Sequence, residues 1–387
     1  MARLGNIASK YQSGGTPSKV EEAYFHGDIP WITTVALNGK TINEKDAIDW
    51  ITDRAITESA AKIVPAHSIM IGTRVGVGKV AVNTVPMSTN QDIISLVGIN
   101  DQQWSTAYLC RFIQSKSAYL NAQARGATIK GIKIDILANL EVPDITISEQ
   151  NIIARIFDEI DNLIILRRQQ LKKLDELVKS RFIEMFGDLV IGDKFNDNQQ
   201  KISDIASVTK LAGFEFTKYI QYKEQGDIIM LRGLNCKKGH LVLEDVKWID
   251  RETSDLLPRS KLYYGDILMT YAGTIGDVAM VDADNKYHLA PNVAKITLHD
   301  KKKCNPVFLI HLFLYTHDYI MTFASQVAQA SINMEKIRSF EYFFPPIALQ
   351  QLFVAFVEQT DKSKLAIQQS LEKLETLKKA LMQKYFG

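Results

Sequence analysis

The sequence predicts an α+β protein. Two small α/β domains are joined by two long helices that pair as an antiparallel coiled coil, with a pseudo-two-fold internal repeat. Three observations predict it. LKKLDELVKSRFIEMFGD at 171–188 returns as LEKLETLKKALMQKYFG at 371–387. Both stretches end long runs with apolar residues at heptad spacing. The segments before those runs mix short β-rich stretches with turns.

Residues 1–147 form the first globular domain, with strands expected at PWITTV, SIMIGTRV and DIISLVGI and a helical piece at 105–122. Pro143 ends its last strand. Residues 148–187 form the first long helix, whose seam is Ile153, Ile156, Ile160, Leu163, Leu174 and Leu177. Ser148 is the expected N-cap and Phe186-Gly187 the C-terminal stop. Residues 188–347 form the second globular domain, opened by a linker at 188–200. DIIMLRGL, GDILMTYAG and VAKITLH read as its strands and 306–324 as its helical piece. Pro345-Pro346 precede the second long helix, 348–387, with seam residues Phe353, Phe356, Ile367, Leu374, Leu377 and Leu381.

A shift of 200 lays 148–187 on 348–387 without a gap. Gln150 meets Gln350, Asp161 meets Asp361, and Leu174, Leu177, Phe186 and Gly187 meet identical residues. The globular parts repeat more faintly: GDIPWIT at 27–33 with GDIIMLR at 226–232, and GKVAV at 78–82 with GDVAM at 276–280. Asn90 in TNQDIISL is set against Asn292 in PNVAKITL, and ATIK at 127–130 against ASIN at 330–333. A period near 200 is too long for a solenoid and marks a duplicated module.

Composition excludes several classes. No apolar run approaches the roughly 20 residues of a membrane span, and no basic segment followed by an apolar one opens the chain as a secretory signal would. The three cysteines are isolated, which points to a reducing cytoplasm. A net charge of +2 is small for a nucleic-acid binder. Residues 1–147 carry 14 basic and 13 acidic side chains, so any phosphate-binding face must be a local cluster.

Chemistry-bearing motifs are missing. GTRVGVGKV at 72–80 resembles a phosphate loop, but five residues separate Gly72 from Gly78 and Val80 stands where Ser or Thr must hold Mg²⁺. It reads as a turn between strands. Cys236 and His240 lack a second pair for a tetrahedral metal site. Pro143-Asp144 has no matching Glu-x-Lys, and Phe344-Pro345-Pro346-Ile347 lacks the carboxamide and aromatic of an adenine methyltransferase motif. No catalytic residue and no metal ligand is assigned.

A helix of forty residues is about 60 Å long. Paired antiparallel, two such helices place the globular domains at opposite ends facing the same way. That suits two half-sites on one face of duplex DNA about one turn apart. With GGTPS at 14–18, GDIPWIT at 27–33, the Gly-rich hairpin before TNQ at 89–91, ATIK…VP at 127–143 and the doubled FG, the chain resembles the specificity (S) subunit of a type I restriction–modification enzyme. The resemblance covers the whole chain. It implies two target recognition domains (1–147 and 188–347) reading a bipartite double-stranded DNA site and two spacer helices (148–187 and 348–387) binding two methyltransferase (M) subunits. Restriction (R) subunits would join that core. It also implies no catalysis in this chain, with S-adenosylmethionine, ATP and Mg on the partner subunits. The second domain departs in lacking GGTPS and in having Val293 after Asn292.

Base reading requires Arg, Lys, Asn, Gln, Ser or Thr at loop tips, and phosphate contact requires cations or free amides. In the first domain the candidates are Thr33, Thr34, Asn38, Lys40, Arg74, Lys79, Asn90, Gln91, Arg125, Thr128 and Lys130. In the second they are Arg232, Asn235, Lys237, Lys238, Tyr271, Thr274, Asn292, Gln329, Ser331 and Asn333. Trp31, Trp50 and Trp248 read as core. Three alternatives stand beside this reading: the specificity subunit of a related methylation-only or fused system, a coiled-coil scaffold whose domains bind proteins, and an enzyme with a concealed site.

Overall fold

A computed structural model describes residues 1–126, 130–325 and 330–387. It divides into two compact units, Met1–Gln169 with Gln368–Gly387, and Gln170–Ile367. The sequence boundaries fall where secondary structure changes. The units instead divide within both long helices, so each unit holds one globular domain and half of each helix.

The first unit contains two main sheets beside the short pair Ala2–Arg3 and Glu141–Val142. One has the strand order Ala8–Ser13, Ile93–Ile99, Ile69–Gly72, Val80–Asn83 and Thr41–Ile42. The other has the order Asp49–Ile51, Phe25–Ile32, Met87–Thr89 and Ile63–Val64, with Phe25–Ile32 parallel to Met87–Thr89. The second unit repeats the plan. Its sheets run Ala206–Lys210, Val293–Leu298, Ile267–Thr270, Val278–Met280 and Lys247–Ile249, Ile228–Leu231, Tyr287–Leu289, Lys261–Leu262. The parallel pair recurs between Ile228–Leu231 and Tyr287–Leu289. The central strands are buried from end to end, as sheets covered on both faces must be. Each expected helical piece is two helices, Thr106–Ser115 with Ser117–Gln123, and Pro306–Tyr315 with His317–Met321.

The long helices span Ile147–Phe186 and Ile347–Phe386. The first starts one residue before the expected cap. Thr146, not Ser148, closes it. The Glu149 amide donates to Thr146 Oγ1 at 3.3 Å, and Glu149 Oε2 accepts from the Thr146 amide at 3.0 Å and its hydroxyl at 2.7 Å. This reciprocal pairing satisfies donors that Ser148, already inside the first turn, cannot reach. The expected stop holds: Gly187 takes φ +65° and its amide bonds Ile183 O at 2.8 Å.

Within the first unit the helices run antiparallel. Phe157 stacks on Phe386 at 5.8 Å, Asp161 pairs with Lys378, and Arg168 meets Glu375 at 2.8 Å. Within the second, Asp175 meets Lys364 at 2.8 Å and Phe182 packs edge-on to Phe353 at 5.3 Å. The doubled FG has a packing role. Phe186 is buried against Phe182, Phe308 and Phe353, and Phe386 against Tyr108, Phe112 and Phe157.

The seam is broader than the heptads foresee. Ile153, Ile160 and Phe353 are buried, and Ile156, Leu174, Phe356, Ile367, Leu374 and Leu381 are half-buried. Leu163, Leu177 and Leu377 are 41%, 48% and 46% exposed. Phe157, Ile164, Val178, Phe182, Val357 and Leu371 are buried in addition. Each helix packs on a globular domain as well as on its partner, so a 3.6-residue stripe replaces the 3.5-residue seam. The segment expected as a linker is packed too: Leu189 lies in the second unit's core, and its carbonyl accepts from the Phe343 amide at 2.8 Å.

Candidate nucleic-acid interface

In the first unit three loops meet. The Gly-rich stretch is a hairpin closed by Gly72 N–H to Lys79 O at 2.8 Å and Gly78 N–H to Gly72 O at 3.0 Å. The Lys79 amide turns back to Gly76 O at 3.0 Å, and Gly76 and Gly78 take positive φ, so the stretch is a tight turn between strands. Thr73 N–H donates to Asp92 O at 2.8 Å, joining the hairpin to the 89–92 turn. Ile132 N–H donates to Thr73 O at 2.8 Å, and Arg125 and Gly131 exchange backbone bonds at 2.9 Å. The arm around 125–133 is thereby fastened to the same hairpin. A Cβ on Gly131 would stand 3.2 Å from Arg74 Cγ, so the arm runs directly past that side chain. Asn121 secures the hairpin from behind, donating to Val77 O at 2.8 Å.

The second unit builds the same platform with the same bonds. Thr270 N–H reaches Asp277 O and Gly276 N–H reaches Thr270 O, both at 2.9 Å. Tyr271 N–H bonds Asn292 O at 3.0 Å, Ile332 N–H bonds Tyr271 O at 2.8 Å, and Ser325 N–H bonds Ser331 O at 2.9 Å. His317 replaces Asn121 as the brace, its ring 3.0 Å from Ile275 O.

These bonds correct two sequence alignments. Thr73 to Asp92 and Tyr271 to Asn292 make Asp92 the counterpart of Asn292. Asn90, whose amide bonds Ile32 O, corresponds to Ala290, whose amide bonds Leu231 O. Likewise Ile132 corresponds to Ile332, so in sequence ATIK at 127–130 aligns with residues 327–330, and Lys133, not Lys130, is the counterpart of Asn333. The offset of 200 therefore continues from the helices into both loops.

The candidate side chains divide by burial. Arg74, Lys79, Gln91, Arg125, Lys130, Lys237, Lys238, Thr274, Asn292 and Asn333 are exposed. Gln91 accepts from the Thr16 hydroxyl, which ties the GGTPS loop to the 89–92 turn. Gly14 is obligatory there, because a Cβ would lie 2.1 Å from Thr89 Oγ1. Lys238 holds φ +49° at the tip of the hairpin between Cys236–Lys237 and His240–Leu241. Asn38 is exposed and its Oδ1 accepts from the Lys40 amide at 2.8 Å. Thr33, Lys40, Tyr271 and Ser331 are half-buried. Asn333 also caps the helix Met334–Arg338.

Others are committed inside the fold. Asn235 is fully buried: its Nδ2 donates to Val242 O and Asp245 O, and its Oδ1 accepts from the Arg232 amide. It is a loop staple, not a groove contact. Arg232 pairs with Asp245 at 2.7 Å. Thr34 is 3% exposed and Asn90 is 7% exposed, with Asn90 Nδ2 on Asp92 Oδ2 at 3.0 Å. A polar residue in a loop looks the same in sequence whether it faces water or staples backbone. Thr128 and Gln329 lie outside the described residues. Trp31 is core, with its indole N–H on Gly15 O at 3.1 Å, Trp248 is half-buried, and Trp50 is 38% exposed.

Residues that the sequence reading passed over join the platforms. Lys133 is exposed beside the first arm, and Lys210 lies 5.5 Å over the Tyr271 ring. Extending the offset of 200 through the loops finds Lys133. Among the described residues no group of three or more His, Cys, Asp or Glu side chains is placed to hold a metal ion. Among them, too, no helix is long and apolar enough to cross a membrane.

One α/β platform, built twice on a pair of long helices with different side chains at its tips, defines a duplicated recognition module. The chain belongs to the family described as the type I restriction modification DNA specificity domain, whose model matches residues 1–176 and again 197–378. It is 28% identical over 247 residues to the type I restriction enzyme MjaIX specificity subunit of Methanocaldococcus jannaschii, covering 63% of this chain and 54% of that protein. It is 31% identical over 194 residues to the EcoR124I/EcoR124II specificity subunit of Escherichia coli, covering 48% of this chain and 46% of that one. The match thus spans about half the length of these two relatives. The fold is shared with a type I restriction-modification S subunit from M. genitalium, at TM-score 0.54 and 15% identity over 100% of this chain and 95% of that chain. It is also shared, at TM-score 0.64 and 14% identity over 100% and 96%, with a chain from a structure on complex assembly and conformational transition of the type I R-M system.

Proposed function

We propose that this chain is the DNA-recognition subunit of a type I restriction–modification complex and performs no catalysis of its own. Each globular domain reads one half of a bipartite duplex site, and the paired helices hold two methyltransferase subunits, to which restriction subunits attach. One observation carries the reading: the same three-loop platform occurs twice, fastened by equivalent backbone bonds, while its exposed side chains differ. A conserved frame with divergent tips suits two readers of different base sequences.

The exposed tips supply suitable groups. Asn292, Thr274 and Gln91 offer donors and acceptors for base edges, and Arg74, Arg125 and Lys130 offer cations for phosphates or guanine. The helices carry a second repeated feature. Ile152 and Leu352 are 45% and 63% exposed, Ile165 and Leu365 are 43% and 61%, and Leu177 and Leu377 are 48% and 46%. Large apolar side chains bared at equivalent positions of both copies suit two like partners, here the methyltransferase subunits. S-adenosylmethionine would reside on those subunits, and ATP and Mg on the restriction subunits.

The test is to map methylated adenines genome-wide with and without the gene. Loss of one bipartite motif is expected, and it names both half-sites and their spacing. An unchanged methylome in a strain with active methyltransferase subunits would overturn the proposal.

A further inference from the structure

The two platforms share a backbone but not a charge. In the first, five exposed cations surround the junction of hairpin and arm: Arg74, Lys79, Arg125, Lys130 and Lys133. The hydrogen-bond equivalences assign their counterparts as Ala272, Asp277, Ser325, Ala330 and Asn333. Across the hairpin, turn and arm (72–80, 89–92, 125–133) the only acidic residue is Asp92. The corresponding stretches of the second domain (270–278, 289–292, 325–333) hold no Lys or Arg and one acid, Asp277, whose charge balances that of Lys210, which lies over the Tyr271 ring from a neighbouring strand.

The first set is also uncompensated. Among the described residues none of the five cations is ion-paired. By contrast, Arg232, Lys223, Lys247 and Lys261 of the second domain each face a carboxylate. The free cations Lys237 and Lys238 stand on a separate hairpin, which pairs through Gly239 with Ala279. Backbone bonds hold Arg74 against the arm that carries Arg125, Lys130 and Lys133. Like charges crowded this way repel one another, and a polyanion laid across them relieves the repulsion. Each phosphate neutralised releases counterions and adds about 0.9 to the salt slope of binding to B-DNA.

We infer that the two recognition domains divide the work unequally. The first anchors the complex to the phosphate backbone with a five-cation platform, and the second reads its half-site with an almost neutral one. This rests on the DNA-recognition reading above. It separates salt dependence from sequence discrimination along one chain, since the neutral tips of the second platform discriminate bases by hydrogen bonding.

The experiment uses the chain assembled with its methyltransferase subunits on duplex DNA carrying the mapped bipartite site. Affinity is measured against salt concentration. For Arg74→Gln/Arg125→Gln/Lys130→Gln/Lys133→Gln the slope of log affinity on log salt is expected to fall by about 3 to 4. For Lys237→Gln/Lys238→Gln the expected fall is no more than about 2. Arg74→Lys/Arg125→Lys is expected to keep the wild-type slope, which separates lost charge from lost packing. A fall for the first-domain set no larger than for the second-domain pair overturns the inference. A wild-type complex with no preference for the bipartite site overturns instead the functional reading beneath it.

Discussion

Arg111 shows how one buried charge fastens a helix to a globular domain. Its side chain is 4% exposed, and its two terminal nitrogens reach Asp158 and Asp161, the latter at 2.8 Å. Lys378 takes the other oxygen of Asp161. Burial pushes the Asp161 carboxyl up, but the Lys378 hydrogen bond and the nearby Arg111 charge outweigh it and hold the group below its ordinary value. A depressed carboxylate contributes stability above the unfolded pKa and loses it as pH falls through the folded one. Arg111→Ala is expected to destabilise by about 3 kcal/mol, because Asp158 loses its partner and the buried Asp161 keeps only Lys378. Urea denaturation checks it. Two histidines of the second unit act with the same sign in a higher pH window. Burial first, then Lys261 and Lys295, push His288 down to about 4, and burial with Lys364 and His240 does the same to His311. Both stay neutral when folded, so their contribution is full above about pH 6.5 and declines as pH falls toward 4. His311→Phe is expected to flatten the pH dependence of stability in that window by about 1.4 kcal/mol per pH unit, read from denaturation at pH 4.5 and 6.

The long helices are each asked to do two things, and the residues sort accordingly. Phe386 fills the first unit's core among Tyr108, Phe112 and Phe157, so Phe386→Ala is expected to cost about 3–5 kcal/mol. Leu377, 46% exposed, is expected to tolerate Ala within about 0.5 kcal/mol. Thermal denaturation of the two variants decides between a heptad seam and the observed stripe. The exposed pair Ile165 and Leu365 has a different expected readout. Ile165→Asp with Leu365→Asp should leave the melting temperature nearly unchanged and abolish co-purification with methyltransferase subunits. Persistent co-purification would remove these positions from the docking surface. Gln150 and Gln350 show why the helices repeat so closely. Both are fully buried; each accepts from a backbone amide, of Ser105 or Asn305, and donates to the carbonyl five residues back, of Ile145 or Pro345.

For the whole molecule, two units with one plan and different loop tips make specificity modular. Replacing residues 1–147 by the corresponding domain of another family member is expected to change one half of the methylated motif and leave the other half and the spacing intact. A change in both halves would contradict two independent readers. The duplication, the helix lengths and the FG stops were legible in sequence, because leucine periodicity and a glycine stop are local signals and the repeat preserves them. Six strands, among them Ile69–Gly72 and Ile267–Thr270, were legible from their runs of β-branched residues, and short ones such as Met87–Thr89 and Tyr287–Leu289 were not. Loop equivalence was not: Asn90 and Asn292 look alike, yet only the backbone bonds of Thr73 and Tyr271 show that Asp92 holds the place of Asn292. Nor was the difference between Asn235, stapled inside, and Asn292, left outside. By itself the sequence determined that the chain is one module written twice, since residue spacing alone sets helical periodicity and stops. Only the tertiary structure decided which polar tips remain free for a partner and which helix face is buried. Those depend on what each side chain meets from distant parts of the chain, and local spacing does not encode that.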